Sequence, residues 1–318
     1  KTSSAASDVY KRQTTSDNID FLQAFIQTVF KQYANQPKAF VPFHKYGEQF
    51  KTAIEEQLMY AVQFALVNNR ISHHFTISPG LEEAFDQHVK EACLAIERTH
   101  ACTIDIDYSV QEASTDSLVV GADGQLVTDD LGQLVFRAAG HGALLQNLNN
   151  MDADLVFINN IDNVAPLAQH KDSGMYKRVL GGCLLHIQQE VFRLLRTIDE
   201  EGVLDETIHF LDQQFHVHIQ EDDIALRRQK VIERLNRPLR VCGMVPNSGD
   251  PGGGPFWVED EMGVRLQIVE RAQVDLRQPS QAAHFQQGTH FNPVELVCSL
   301  VDFEGNPFDL RAFVDPST

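Results

Sequence analysis

The chain of 318 residues carries 26 Lys and Arg against 44 Asp and Glu, a formal net charge of −18, and is 43% hydrophobic and 22% charged. This composition excludes a disordered, collagenous or coiled-coil chain, and the length lets roughly 75% of the unfolded surface be buried, so a core needs no disulfide or metal staple. No Lys- or Arg-rich run is present to displace counterions, which excludes nucleic acid as a main partner, and no apolar stretch approaches the ~20 residues of a membrane-spanning helix.

The first thirteen residues are set aside. Ser4 to Gln13 resembles the translation of a transposon adapter used in DNA library preparation, so residues 1–13 are expected to be an artefact and the gene's own sequence to begin near Thr14, as a fragment cut upstream. Asp17 to Tyr33 then places Ile19, Leu22, Phe25, Ile26, Val29 and Phe30 at helical spacing behind a Ser16 or Asp17 cap. Ala39 to Phe43 reads as a short strand after Pro37, and Thr52 to Val67 as a helix. A strand at His74 to Ile77, a helix over Leu81 to Thr99 behind Pro79, and a half-exposed strand over Cys102 to Val110 follow. Leu118 to Phe136 holds two short strands around turn clusters at Gly121 to Gly124 and Asp129 to Gly132.

After Gly140-His141-Gly142 comes a short helix from Ala143 to about Asn149, then the strand Leu155 to Ile158. Helices over Tyr176 to Ile198, Leu204 to Phe215 and Ile224 to Leu235 precede a strand-rich part with strands at Leu239 to Val245, Val264 to Val269 and Val294 to Val301. No internal repeat and no low-complexity segment stands out. The alternation predicts an α/β core over residues 14–235 with a largely parallel sheet, and a strand-rich C-terminal part of the same domain over 236–318. Ligands of such sheets bind beyond the carboxyl ends of the strands.

Asp162 stands one step past an apolar strand, flanked by Asn160 and Asn163. Mg²⁺ takes oxygen ligands and needs only one or two protein carboxylates when substrate phosphates and water complete its shell, so one Asp suffices; the rival reading is an Asx turn. Gly140 and Gly142 around His141 offer free backbone N–H groups at a loop-to-helix junction, or simply a tight turn. Gly252-Gly253-Gly254 reads either as a substrate clamp or as a hairpin tip. Lys38 supplies one of the few cations of the first third. Ser114-Thr115-Asp116 fits an ST turn as well as a binding loop. His216 and His218 alternate along an apparent strand and read as a solvated face in preference to a metal site. Five scattered cysteines, Cys93, Cys102, Cys183, Cys242 and Cys298, suit reduced thiols in a cytoplasmic protein.

Taken together, Pro37 to Pro42, Tyr108 to Asp116, Gly140 to Leu144, Phe157 to Asn163, Gly252 to Trp257 and Thr289 to Val294 closely resemble an uncharacterised bacterial family catalogued as domain of unknown function 4301. The order of lysine after proline, Gln after a strand, Gly-x-Gly, then a strand ending in Asp-Asn is also distantly similar to the UDP-sugar and N-acetylhexosamine pyrophosphorylases, whose core is the glycosyltransferase-A-type nucleotidyltransferase fold. That likeness implies that Asp162 holds the metal, Lys38 contacts phosphate, Gln111 lies near the base, and Gly140 and Gly142 border the nucleotide. Glu270 and Asn292 would then face the sugar. Those enzymes also carry a Gly-rich phosphate loop after their first strand, which has no counterpart before Pro37, so the likeness implies that this chain alone is nearly inactive.

The function expected is a Mg²⁺-dependent nucleotidyltransferase acting on a nucleotide and a sugar phosphate. The alternatives are a non-catalytic nucleotide- or sugar-binding protein of the same fold and a nucleotide-sugar glycosyltransferase. Base, sugar and oligomeric state are unknown from sequence.

Overall fold

The computed structural model describes residues 36–121, 124–129, 131–137, 141–249, 252–260 and 263–314. The adapter-like segment and the helix expected at Asp17 to Tyr33 lie outside the described residues. Lys38–Phe40 forms a 3₁₀ turn, and the hairpin β1 (Pro42–Tyr46) and β2 (Gln49–Thr52) leads into helix α1 (Ala53–Ala61). Thr52 caps α1 through a reciprocal box with Glu55, whose carboxylate takes the Thr52 N–H at 2.9 Å. Next come β3 (Arg70–Ile77), α2 (Glu82–His100) and β4 (Thr103–Val110). This is a right-length βαβ unit, and β3 pairs with β4 in parallel from Arg70 opposite Thr103 to Ile77 opposite Val110.

The short strands β5 (Ser117–Leu118) and β6 (Phe136–Arg137) bracket a segment that corrects the reading of a chain without repeats. Leu118-Val119, Leu126-Val127 and Leu134-Val135 recur every eight residues, each pair followed six residues later by a glycine at 124, 132 and 140. The three Leu-Val segments close on one another: Val127 donates to the Val119 carbonyl, Val135 to Val127 and Val119 to Val135, each at 3.0 Å. Gly124 and Gly132 adopt φ of 78° and 76°, the left-handed backbone that a side chain resists.

After α3 (Leu145–Asn149), β7 (Leu155–Ile158) and the long helix α4 (His170–Arg196), the helices α5 (Val203–Phe215) and α6 (Ile224–Leu235) complete a helical layer. Then follow β8 (Leu239–Cys242), β9 (Val245–Pro246), β10 (Gly254–Asp260), β11 (Gly263–Val269), α7 (Pro279–Gln286), β12 (His290–Phe291) and β13 (Leu296–Ser299). The fold is mixed α/β, but the expectation of one largely parallel sheet is corrected. Among the described residues the only parallel pair is β3 with β4; β13 lies between β7 and β8 and is antiparallel to both. The reason is sequence distance: β7 finds its partner in the C-terminal strand β13, which periodicity along one strand does not reveal.

Three apolar clusters hold these layers. One joins α1, α2, β3 and β4 around Ile54, Leu58, Ile71 and Phe85, with Phe40 and Ile161 packed on its margin. A second joins the C-terminal half of α4 with α5 and α6 around Leu194, Leu211 and Val231. The third sits under β13 and α3 around Cys298, Leu300 and Leu310. Close packing of α4 on β7 depends on Gly181, where a Cβ would lie 2.8 Å from the tip of the Phe157 ring. No helix among the described residues is long and apolar enough to cross a membrane.

Candidate functional site

Lys38 and Asp162 are 124 residues apart and form an ion pair with 2.6 Å between Nζ and Oδ2. Each stands beside an apolar anchor: Ala39 and Phe40 after Lys38, and Ile161 before Asp162, all pack on the same core cluster. The two charged groups are thereby held at the surface, with 73% of the lysine side chain and 32% of the aspartate exposed. A pair this exposed contributes ~1 kcal/mol or less to stability.

Beneath it lies a buried polar network that fixes the backbone from 159 to 163. The Gln57 amide on α1 donates to the carbonyls of Asn160, Ile161 and Asn163 at 3.0, 3.2 and 3.3 Å, and accepts from Asn159 Nδ2 at 2.9 Å. Lys177, on α4 and almost wholly buried, reaches Asn159 Oδ1 at 3.3 Å and Glu295 Oε2 at 2.8 Å, with its ammonium over the rings of Tyr60 and Phe64. Burial pushes the Lys177 amine down and the Glu295 carboxyl up, each opposed by the charge of the other. Asn163 spans from this loop to the next, donating to the Pro293 carbonyl at 2.6 Å and to Glu295 Oε1 at 3.3 Å.

The second loop is locked in the same way. Asn292 is buried, donates through Nδ2 to the Gly243 carbonyl at 2.6 Å and accepts the Val294 N–H at 2.9 Å, which holds Val294 at φ 58°. Its backbone N–H donates to the Gly253 carbonyl at 2.7 Å. The glycines are required there: a Cβ on Gly253 would lie 2.6 Å from Ile268 Cγ2, and one on Gly254 would lie 3.0 Å from the His290 carbonyl. Glu270 borders Gly253 and caps the turn Arg271–Gln273.

Of the residues singled out in the sequence, the structure thus joins Lys38, Asp162, Asn163, Asn292, Gly252 to Gly254 and Glu270 through contiguous contacts. The amides of Asn163 and Asn292 are engaged by backbone carbonyls, so they shape the loops.

The remaining candidates belong to other local structures. Gln111 follows β4, its backbone N–H on the Ile77 carbonyl, while its Nε2 is buried without a hydrogen-bond partner. Ser114 and Thr115 form a 3₁₀ turn closed on Glu112, with Thr115 Oγ1 2.6 Å from its carbonyl, and Asp116 follows directly. Gly140 lies outside the described residues. His141 and Gly142 open a 3₁₀ turn before α3, and Gly142 faces open space. The strand expected at Phe215 to His218 is corrected: α5 runs to Phe215, His216 ends it at φ 53°, and His218 pairs with Asp212 at 2.7 Å.

Lys177, Glu295, Gln57 and Asn159 were missed by sequence reasoning. The signal for Lys177 was present: it falls at the 170, 174, 177, 181, 184 spacing of the buried stripe of α4, where a lysine has no business unless paired.

Asp162 offers a hard oxygen donor, partly exposed, beside a largely exposed lysine, and this fits a Mg²⁺ ion shared with phosphate oxygens. Among the described residues no three His, Cys, Asp or Glu side chains converge to hold a metal unaided. The family model described as "Domain of unknown function (DUF4301)" matches residues 1–318, and the chain belongs to that family. No curated protein matches the chain.

Proposed function

We propose that this DUF4301 protein is a nucleotidyltransferase-like enzyme that uses Mg²⁺ and acts on a nucleotide and a sugar phosphate. The observation that carries the reading is the Lys38–Asp162 pair, two opposite charges from distant segments held together at the surface, where the pairing itself stabilises little. A glycosyltransferase-A-like arrangement belongs to the same proposal. Mg²⁺ bound at Asp162 would neutralise charge on the reacting phosphate. Lys38 would turn from Asp162 to phosphate oxygens, since its long stem is largely exposed. Asp162 would hold its position because Gln57 fixes the carbonyls on either side. The Gly252–Gly254 and Asn292 loop would border the sugar, its glycines permitting close approach of backbone.

Calorimetric titration of each of the four ribonucleoside triphosphates, with and without Mg²⁺, tests this. One triphosphate is expected to bind with Mg²⁺ and to lose at least tenfold in affinity in both Asp162→Asn and Lys38→Ala. Binding that ignores Mg²⁺ and Asp162 would favour the non-catalytic binding protein; absence of binding by all four would remove the proposal. Where any turnover with a sugar 1-phosphate is detected, pyrophosphate is the product that supports the reading, and nucleoside diphosphate release from a nucleotide-sugar would mark a glycosyltransferase.

A further inference from the structure

We infer that the buried Lys177–Glu295 pair is a clamp that sets the Asp162 loop and the Gly253–Asn292 loop in one fixed relation, with both residues acting as positioning residues for the site. This rests on the nucleotidyltransferase reading. An ion pair this deep is poorly explained by stability, because well-packed apolar side chains of the same volume serve a fold as well or better. What the pair does that apolar groups cannot is hydrogen-bond the Asp162 loop from two sides, from α4 and from the segment that continues the Asn292 loop. Glu295 takes Lys177 on Oε2 at 2.8 Å and the Asn163 amide on Oε1 at 3.3 Å, while its own carbonyl accepts the Gly243 N–H at 2.7 Å. Lys177 uses a further proton on Asn159 Oδ1 at 3.3 Å, at the start of the loop that carries Asp162. Asn292, three residues before Glu295, holds both Gly243 and Gly253. The clamp therefore grips the metal-side loop at both ends, at Asn159 and at Asn163, and joins it to the proposed sugar-side loop through one carboxylate.

The test compares the wild type with Lys177→Met/Glu295→Leu, Glu295→Gln and Asp162→Asn, reading Mn²⁺ affinity by electron paramagnetic resonance in the presence of whichever of ATP, GTP, CTP and UTP the wild type binds, and thermal melting on the same samples. The double apolar variant is expected to melt close to the wild type yet to bind Mn²⁺ with that triphosphate at least tenfold more weakly. Should it fail to fold, Glu295→Gln, which keeps the side-chain shape, is expected to weaken Mn²⁺ binding severalfold. Wild-type affinity in the folded double variant, or in Glu295→Gln when the double variant does not fold, overturns the clamp while leaving the reading of Asp162 intact. Failure of the wild type to bind Mn²⁺ with any of the four triphosphates, or equal binding by Asp162→Asn, overturns the reading of Asp162 and the clamp with it.

Discussion

Replacing Lys177 alone by methionine separates the energetic consequence of the buried pair from its role in the site. The substitution keeps the stem volume but takes the ammonium from over Tyr60 and Phe64 and strands the Glu295 carboxylate, whose side chain is only 20% exposed. Removing one partner of a buried pair costs about 3–5 kcal/mol, and the partial exposure of Glu295 places this case near the lower figure. At roughly 2 °C per kcal/mol for a chain of this size, the melting temperature should fall by about 6 °C at pH 8. The Glu295 carboxyl is already pushed up by burial, and losing Lys177 raises it further. The folded state then holds a proton that the unfolded state releases, so the variant's stability falls as pH rises through the raised value and recovers as pH drops towards 5. Scanning calorimetry between pH 5 and pH 8, on the wild type and Lys177→Met, measures both effects. A variant that melts with the wild type at pH 8, or whose deficit is the same at pH 5, would refute the assignment of Glu295 as a buried carboxylate dependent on Lys177.

Other consequences follow from the same packing. Gly181→Ala should destabilise by about 1–3 kcal/mol through overpacking, because its Cβ meets Phe157 while that ring is held against Phe64; urea unfolding would read it. With Ellman's reagent, Cys183 should react fast in the native protein, whereas Cys93, pushed up to about 11 by burial, and Cys298, pushed up to about 12, should wait for unfolding. Burial and the nearby positive charges of Lys177 and His74 push His73 down to about 4. The unfolded imidazole takes a proton before the folded one does, so this residue withdraws stability as pH falls from ~6.5 to about 4, and NMR should find its ring neutral at pH 5.

Much of the element order was legible because helical periodicity and apolar runs are local. The helix at Ile224 to Leu235 and the strand at Leu155 to Ile158 have the bounds their patterns imply. The long helix begins earlier than Tyr176, at His170, because its first turns bury His170, Gly174 and Lys177, none of which counts as an apolar marker. The pairing of β7 with β13 was not legible, since a strand's partner is a tertiary choice. In the site, Lys38 and Asp162 were found one at a time by chemistry and position. The clamp was not, because Gln57, Lys177 and Glu295 acquire meaning only when two helices and a loop from different parts of the chain come together.

The most direct measurement is a crystal structure grown with Mn²⁺ and whichever of the four ribonucleoside triphosphates binds, read by anomalous scattering at the manganese edge. The account predicts an anomalous peak about 2.1 Å from an Asp162 carboxylate oxygen, with Lys38 Nζ turned from Asp162 onto a phosphate oxygen. Bound nucleotide with the Lys38–Asp162 pair intact and manganese elsewhere would contradict it.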